Sequence, residues 1–192
     1  IIERCQKYGM RACALTDHGA LFGALEFYQA ARKAGIKPII GSELYVAKNS
    51  RFDKTGRSAG ASSNHFLLLC ENEVGYHNLC KLSSLGYTEG FHYKPRVDFE
   101  LLSKYKEGLI ATSACLAGEI PQFLLNDDRD AANDSIKKFV EIYGRDNFLI
   151  ETLRAPGRIT LSYTHYDRMI VGGAMPTATP LTLAAIKPTG TK

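Results

Sequence analysis

Long apolar runs are missing from this sequence. No stretch approaches the roughly 20 apolar residues that a membrane-spanning helix needs, and the opening residues lack the apolar core and cleavage site of a signal peptide. We therefore expect a soluble chain with no membrane partner. An initiator methionine is also missing, and the chain opens inside an apparent amphipathic helix that ends at Gly9, so we expect its start to be truncated.

Cysteine pairs of the Cys-x-x-Cys type are absent as well. The chain has five cysteines, an odd number, namely Cys5, Cys13, Cys70, Cys80 and Cys115. This pattern indicates neither a disulfide framework nor a zinc finger. A reducing, cytoplasmic setting fits it best.

Extremes of composition are also lacking. Of the 192 residues, 45% are hydrophobic and 23% are charged, which is typical of a globular chain. The length suits one ordinary domain with a core and is too short for a polymerase. The net charge of +4 and the pI near 8.8 are compatible with contact to a polyanion, but a plain solvated surface explains them too.

Strand and helix patterns alternate through most of the chain. Strands are predicted over residues 11–17, 38–47, 65–70 and 109–113, and helices over 21–34, 73–85, 118–125 and 130–143. In the helix over 21–34, Leu21, Leu25, Tyr28 and Ala31 or Arg32 fall at helical spacing, and Gly35 closes the helix. The alternation predicts an α/β fold with parallel strands covered by helices.

Two segments depart from this alternation. Residues 48–63 are polar and rich in glycine and serine, so they predict a mobile surface loop with almost nothing to bury. From Asn147 onward the pattern is β-rich, with short strands predicted over 148–153, 158–164 and 169–171 and four of the chain's seven prolines. The sequence therefore predicts a change of structure near residue 147.

Side chains of metal-ligand type lie at the ends of four predicted strands. His18 comes just after the first, Glu43 lies inside the second, His65 begins the third and Cys115 follows the fourth. The ends of parallel strands converge on one open face of an α/β fold, so the four side chains could meet. Imidazole, carboxylate and thiolate together suit zinc, and histidine with carboxylate also suits manganese or iron. Such a site would serve the hydrolysis of a phosphoester.

Each of these residues also has a purely structural explanation. A histidine beside a glycine, such as His18, is usually a turn or surface residue. A carboxylate on a buried strand, such as Glu43, needs a partner whatever its role. His65 could cap its strand, and Cys115 could be a small core residue. Type and position alone therefore leave both interpretations open.

The remaining histidines and one basic segment give weaker signals. His77 and His92 are interpreted as surface or packing residues. Lys94 and Arg96, on either side of a proline and next to Tyr93, are candidates for contact with nucleic acid, because basic residues beside an aromatic ring often have that role. A solvated loop is the alternative.

A series of motifs follows one order along the chain: Ala14-Leu-Thr-Asp-His-Gly19, Ile36-Lys-Pro-Ile-Ile-Gly-Ser-Glu-Leu-Tyr-Val46, Tyr76-His-Asn-Leu-Cys-Lys-Leu82, Gly86-Tyr-Thr-Glu-Gly90, Tyr93-Lys-Pro-Arg96 and Ser113-Ala-Cys-Leu-Ala-Gly-Glu-Ile120. Together, over residues 1–147, they resemble the polymerase-and-histidinol-phosphatase (PHP) domain of bacterial DNA polymerase III alpha subunits. The resemblance implies a partial PHP-type distorted β/α barrel that holds divalent metal ions.

The resemblance also implies roles for particular residues. His18, Glu43, His65 and Cys115 match ligand positions of that family, and Asp17 would orient a ligand. The family's His-x-His and Asp-x-His pairs are absent from this sequence, as are the catalytic carboxylates of the polymerase palm. We therefore expect an incomplete site that binds metal more weakly than the full domain, no polymerase activity, and little or no hydrolase activity.

A second resemblance covers residues 148–192. Its motifs are Phe148-Leu-Ile-Glu-Thr-Leu153, Tyr163-Thr-His-Tyr-Asp-Arg-Met-Ile-Val-Gly-Gly-Ala-Met-Pro176 and Ile186-Lys-Pro-Thr-Gly190. They are similar to an N-terminal stretch of the cupin-type 5-dehydro-4-deoxy-D-glucuronate isomerases. This implies a β-rich fragment that is not an independent domain, in which His165 is structural. We hypothesise that the chain joins two unrelated gene fragments.

Three functional interpretations stay open. The first is a PHP module of a replicative DNA polymerase that supports the polymerase core, with metal-dependent phosphoester hydrolysis or proofreading as its candidate activity. Its partners would be the rest of that subunit and the replisome, with DNA contacted indirectly. The second is a free-standing metal-dependent PHP phosphoesterase, and the third is an isomerase fragment. The segments Gly86-Tyr-Thr-Glu-Gly90 and Tyr93-Lys-Pro-Arg96 favour the first, because they belong to the polymerase subfamily.

Overall fold

The computed structural model describes residues 1–55, 63–153 and 169–172. The helices in these residues are α1 (Ile2–Lys7), α2 (Ala24–Lys33), α3 (Glu73–Thr88), α4 (Phe99–Lys104), α5 (Glu119–Leu125) and α6 (Arg129–Tyr143). The strands are β1 (Ala12–His18), β2 (Lys37–Ala47), β3 (Ser63–Cys70), β4 (Arg96–Val97), β5 (Leu109–Thr112), β6 (Phe148–Leu153) and β7 (Met169–Gly172). The elements predicted up to residue 153 are confirmed, while the short α4 and β4 were not predicted. Within the described ranges, no helix has the length and apolar character needed to cross a bilayer.

The described strands form a mixed sheet in the order β1-β2-β3-β5-β6-β7, with β4 beside β2. β1 and β2 pair in parallel from Ala12↔Lys37 to His18↔Glu43. The pairs β5–β6 and β6–β7 are also parallel, whereas β3 runs antiparallel to both β2 and β5. The predicted α/β class is confirmed.

The prediction of parallel strands throughout is wrong for β3. A parallel neighbour needs a crossover connection, which is usually a helix lying on the sheet. The polar sequence between Ala47 and Ser63 has no apolar pattern that could make such a helix. β3 therefore returns beside β2 in the antiparallel direction.

The main core lies between the sheet and α6. Phe66 of β3 stacks on Phe139 of α6 with 4.4 Å between ring centroids, and Phe139 lies 5.2 Å from Phe148 of β6. All three rings are buried, and burial of such a side chain stabilises the fold by about 1.5–3 kcal/mol. α6 covers the sheet with Ile136, Phe139 and Tyr143, as the helical spacing predicts.

The face that α2 buries agrees only in part with the predicted spacing. The helix buries Ala24, Phe27 and Ala31, of which Ala31 is in the predicted set, whereas Leu25 and Tyr28 are 69% and 47% exposed. Both sets have helical spacing, so periodicity alone does not choose between them. The two alanines present little bulk to the neighbouring strands, which lets the helix lie close to the sheet.

A buried arginine holds the segment that follows β2. Arg51 is 7% exposed, and its guanidinium lies 2.6 Å from Glu89, 3.0 Å from Asp98 and 3.0 Å from Glu100. Its backbone N–H also donates to Asp98. The predicted surface loop is confirmed for residues 48–55, which form neither helix nor strand, but the expectation that it has almost nothing to bury is wrong at Arg51, because a buried ion-pair network holds that side chain. Residues 56–62 lie outside the described residues.

The sheet continues across the domain boundary that the sequence predicts at residue 147. β6 pairs with β5 at Ala111↔Phe148 and Thr112↔Leu149, and β7 then pairs with β6. The strands predicted over 148–153 and 169–171 are confirmed as strands. The strand predicted over 158–164 and His165 lie outside the described residues. Phe148 belongs to the main core, so β6 packs with the first part of the chain.

Candidate metal centre

Strand register brings three of the predicted ligands together. β1 pairs His18 directly with Glu43 of β2, and β3 pairs His65 with Tyr45, two residues along β2 from Glu43. Paired residues, and residues two apart on one strand, lie on the same face of a sheet. His18, Glu43 and His65 therefore occupy one face at neighbouring positions.

The turn after β1 requires the glycine that follows His18. Gly19 has a φ of +65°, and its N–H donates to the carbonyl of Glu43 at 2.8 Å. A Cβ atom at this position would lie 2.9 Å from the ring of Tyr45. Glycine meets both the conformational and the steric demand, so the Thr-Asp-His-Gly order keeps His18 beside Glu43.

The ligand atoms of these three side chains converge. His18 Nε2 lies 3.3 Å from Glu43 Oε1, and His65 Nδ1 contacts the same oxygen. One ligand atom from each residue lies within 4.8 Å of the others. Side-chain exposure falls from 63% for His18 to 16% for Glu43, so the cluster opens to solvent on the His18 side. An ion would have an entry path from that side.

The donor set fits a divalent transition metal. Glu43 Oε1 is buried and has no hydrogen-bond partner in the described residues, although both imidazoles approach it. Both ring nitrogens lie at ion-pair distance from this one oxygen, and a buried carboxylate oxygen is costly unless charged partners or a cation satisfy it. Two imidazole nitrogens and one carboxylate oxygen around one point are a ligand set for zinc, manganese or iron.

Cys115 lies beside this cluster. Its Sγ is 3.5 Å from His65 Nδ1, although the three-residue group within 4.8 Å comprises His18, Glu43 and His65 in the described part of the chain. Burial raises the pKa of the Cys115 thiol, a backbone hydrogen bond from Ala117 lowers it, and the nearby Glu43 carboxylate raises it. The thiol is half-buried and touches the histidine ring from the β5 side.

Asp17 joins the end of β1 to the start of α2 and to β2. Its Oδ2 accepts a hydrogen bond from the Gly23 N–H at 2.9 Å, and its backbone carbonyl accepts one from the Ser42 hydroxyl at 2.9 Å. Among the described contacts, none joins the Asp17 carboxylate to His18 or Glu43. The expectation that Asp17 orients a ligand stays a prediction, and the hydrogen bond from Gly23 shows its carboxylate holding the start of α2 against the end of β1.

The sequence analysis missed Glu151, the carboxylate that the fold adds to this region. Glu151 lies on β6, its Oε2 accepts a hydrogen bond from Thr112 Oγ1 at 2.9 Å, and its N–H donates to Ser113 Oγ at 2.9 Å. Burial raises the pKa of Glu151, the Thr112 hydrogen bond lowers it, and the Glu43 carboxylate raises it. The signal was a lone Glu within Phe148-Leu-Ile-Glu-Thr-Leu153, which the second resemblance assigned elsewhere.

The two candidate nucleic-acid contacts have opposite environments. Arg96 is 1% exposed and donates to the carbonyls of Gly90, Arg51 and Asp53 at 2.8–3.0 Å. Its guanidinium is used inside the protein, so the prediction of Arg96 as a nucleic-acid contact is wrong. Lys94 is exposed, with Nζ 5.4 Å from the centroid of the Tyr45 ring.

The other described histidines lie away from the cluster. His77 is on the surface of α3, with Nε2 3.8 Å from Glu73 Oε1. The His92 ring lies 4.5 Å from the Tyr93 ring. Both agree with their interpretation as surface or packing residues.

Most of the chain is similar to known proteins. A family model described as PHP domain matches residues 1–155. The DNA polymerase III subunit alpha of Borreliella burgdorferi is 51% identical over 149 residues, which cover 78% of this chain and 13% of the relative. The same subunit of Chlamydia trachomatis is 53% identical over 133 residues (69% of this chain, 11% of the relative), and that of Thermus aquaticus is 50% identical over 141 residues (73% and 12%).

These matches cover a small part of each relative, since the chain spans 11–13% of the length of the three subunits. A solved structure of a metal-dependent phosphoesterase from Bifidobacterium adolescentis is 19% identical, with a TM-score of 0.30 over 43% of this chain and 25% of that one. That likeness is too distant to support an argument about fold or activity.

Proposed function

The chain belongs to the PHP domain family, and from that premise we propose that it serves as the metal-binding PHP module of a bacterial DNA polymerase III alpha subunit. Relatives with that name are 50–53% identical to it over 133–149 residues. Identity at that level supports the polymerase subfamily over a free-standing phosphoesterase.

The residues proposed to hold the metal are His18, Glu43 and His65, with Cys115 in contact with His65. When bound there, a divalent ion would supply Lewis acidity for the hydrolysis of a phosphoester. The chain's own residues have separate tasks. Register holds the two imidazoles against one carboxylate oxygen, and Thr112 and Ser113 hold Glu151 at the neighbouring edge.

One observation carries this proposal, namely the buried Glu43 Oε1, which two imidazoles approach without a hydrogen bond. A cation between these atoms would satisfy the oxygen and both ring nitrogens. A network that was purely structural would instead be expected to hydrogen-bond the oxygen.

The test is metal content and metal titration of the whole chain. We expect zinc, manganese or iron to bind stoichiometrically to the unmutated chain. Mass spectrometry and calorimetry measure this binding. Replacing one ligand should weaken binding by at least tenfold. The His65→Asn variant provides that change, and His77→Asn is its matched control because His77 is exposed on α3.

Three results would contradict the proposal. The first is an unmutated chain that takes up no divalent metal under conditions in which circular dichroism shows it folded. The second is equal metal binding by the unmutated chain and the His65→Asn variant. The third is equal loss in His65→Asn and His77→Asn, because the effect would then not depend on the cluster.

In this role the partners would be the rest of the polymerase subunit and, through it, the replisome and DNA, in the cytoplasm. The assignment of the rest of the subunit as a partner is supported by the matches themselves, because the chain corresponds to only 11–13% of the length of each relative. Co-purification of the chain with the remaining part of a cognate subunit would test the assignment, and absence of any association would count against it.

For the segment beyond the PHP match, we propose the origin that its motifs indicate, a fragment similar to the cupin-type isomerases joined to the PHP part. The family model ends at residue 155, and the motif Asp167-Arg-Met-Ile-Val-Gly-Gly lies after that point. Long-read sequencing of the source locus tests the junction. One continuous reading frame there would remove the proposal of an artificial join.

A further inference from the structure

A cavity of about 510 Å³ lies on the face of the sheet opposite to the metal cluster. Pro38 and Ile40 of β2 line it, and Glu43 follows them on the same strand at an odd number of positions. Successive side chains of a strand point to opposite faces of the sheet. The sheet therefore separates this space, named the outer cavity, from the metal ligands.

The outer cavity lies between two helices. Leu25 and Tyr28 of α2 line one side, and Tyr76 in the first part of α3 lines the other. α2 leads from β1 to β2, whereas α3 follows β3. Antiparallel neighbours such as β2 and β3 need no crossover helix between them, so Ile40 of β2 and Cys70 of β3 form a floor between the two helices.

The wall of the outer cavity is apolar and aromatic, and it is open to solvent. Leu25 is 69% exposed, Tyr28 is 47% exposed and Tyr76 is 40% exposed. Single exposed apolar residues are common on protein surfaces, but three around one cavity mark a binding site. The volume falls within the range of small-molecule sites, and the faces of tyrosine rings attract cations.

The charged residues that line the outer cavity, in the described part of the chain, are the two carboxylates of Glu71 and Glu73. Glu73 lies in the first turn of α3, where the helix dipole favours a carboxylate, and its Oε1 is 3.8 Å from the exposed His77. Glu71 is held at the rim by its N–H, which donates to the carbonyl of Gly108 at 2.9 Å. Its carboxylate has no partner among the described contacts, so it is available to a cation.

We propose that the outer cavity binds a small organic cation with an apolar body, such as an arylammonium or alkylammonium ion. The ammonium group lies between the Glu71 carboxylate and the rings of Tyr28 and Tyr76, and the apolar body contacts Ile40 and Cys70. The negative rim repels anions, and an uncharged ligand gains nothing from the carboxylates. This site goes beyond the proposed function, because it uses none of the metal ligands.

The test is a titration of the whole isotope-labelled chain with benzyltrimethylammonium, followed by amide chemical shifts in two-dimensional NMR spectra. This probe carries a permanent positive charge on an aromatic body. We expect saturable binding with a Kd on the order of 1 mM, as is usual for a ligand of this size. The largest shifts should occur at the amides of Leu25, Ile40 and Cys70, which line the cavity.

Two substitutions separate the charge from the aromatic wall. Glu71→Lys should weaken binding of the probe by at least about tenfold, because attraction becomes repulsion, and Tyr28→Leu should weaken it by roughly threefold. Their matched controls are Glu141→Lys and Tyr87→Leu, which change exposed residues outside the cavity and should bind like the unmutated chain. If circular dichroism shows that Glu71→Lys does not fold, Glu71→Gln should still give a loss of about threefold.

Any of three outcomes overturns the cation site. One is the absence of saturable binding by the folded, unmutated chain at about 20 mM probe, well above the expected Kd. Another is equal binding by the unmutated chain and the Glu71 variant that folds. The last is equal affinity for uncharged benzyl alcohol, because the cavity would then select the apolar body alone. The metal titration of His65→Asn is independent of all three, so failure of the cation site and failure of the metal module are distinguishable.

Discussion

Glu43 and His65 lie diagonally across the β2–β3 ladder, because β3 pairs Leu67 with Glu43 and His65 with Tyr45. The two ligands are thus two positions apart in register and face the same side of the sheet. A slip of one residue in this ladder would move His65 to the opposite face and separate it from Glu43. The candidate metal site therefore depends on one antiparallel register.

Metal should stabilise the fold through this pair of residues. An ion that binds the folded chain alone adds about 2.7 kcal/mol at 100 times its Kd, and for a chain of this size that corresponds to a rise in Tm of roughly 5–10 °C. We expect this rise in Tm for the unmutated chain and for the control variant Glu26→Gln, because Glu26 is exposed on α2. We expect no rise for Glu43→Gln. Differential scanning calorimetry with and without EDTA measures it. An equal rise in Glu43→Gln would show that the ion binds elsewhere.

Replacing Arg51 should destabilise the chain strongly. Arg51→Met leaves the buried Asp98 carboxylate without the guanidinium that it contacts at 3.0 Å, and breaking a buried ion pair from one side costs about 3–5 kcal/mol. Urea unfolding followed by circular dichroism gives the difference in free energy of unfolding. Arg145→Met removes an exposed arginine and should change stability by less than about 0.5 kcal/mol. Similar values for the two variants would mean that the Arg51 network contributes little.

Two glycines of α3 should respond in opposite directions to the same substitution. A Cβ at Gly75 would lie 1.8 Å from the backbone carbonyl oxygen of Gly108, whereas at Gly86 the nearest atom is 3.4 Å away. Gly75→Ala should therefore lower the free energy of unfolding by about 1–3 kcal/mol or more, because the backbone itself must move. Gly86→Ala should be neutral or stabilise by up to about 1 kcal/mol, since alanine is the better helix former. Thermal unfolding of both variants tests the contrast, and equal destabilisation would refute the close approach at Gly75.

Cys70 should react slowly with thiol reagents at neutral pH. Burial, with a smaller contribution from Cys80, raises the pKa of Cys70 to about 12. Only the thiolate reacts, so at pH 8 a rise from about 9 to about 12 lowers the reactive fraction about a thousandfold. We expect alkylation of Cys70, located by peptide mass spectrometry, to be at least about a hundredfold slower than that of glutathione and to accelerate as the pH rises towards 12. In urea the difference should vanish. Rapid alkylation of Cys70 in the folded chain at pH 8 would contradict this prediction.

The sequence predicted much of the site because ligand types and strand ends are local features. His18 and Glu43 were found from a histidine after one apolar run and a carboxylate inside the next, and their pairing follows from two adjacent parallel strands. Cys115 was also identified, and it lies against His65. Glu151 was not, because a lone carboxylate in a short strand has no local signal until β6 is seen to pair with β5.

Errors arose where burial depends on distant partners. Arg96 and Arg51 resemble surface residues of polar segments, yet both are buried. Arg96 donates to the carbonyls of Gly90, Arg51 and Asp53, and Arg51 contacts the carboxylates of Glu89, Asp98 and Glu100. Leu25 and Tyr28 share their helical spacing with Ala31, yet of these three only Ala31 is buried, together with Ala24 and Phe27.

The amino-acid sequence by itself determined the α/β class, the order of the main helices and strands, and the identity of His18, Glu43, His65 and Cys115 as candidate ligands, because periodicity and residue chemistry are read along the chain. Only the tertiary structure decided the antiparallel direction of β3, the register that joins Glu43 to His65, and the burial of Arg96. These depend on contacts between residues far apart in sequence, whose free energy no local pattern records.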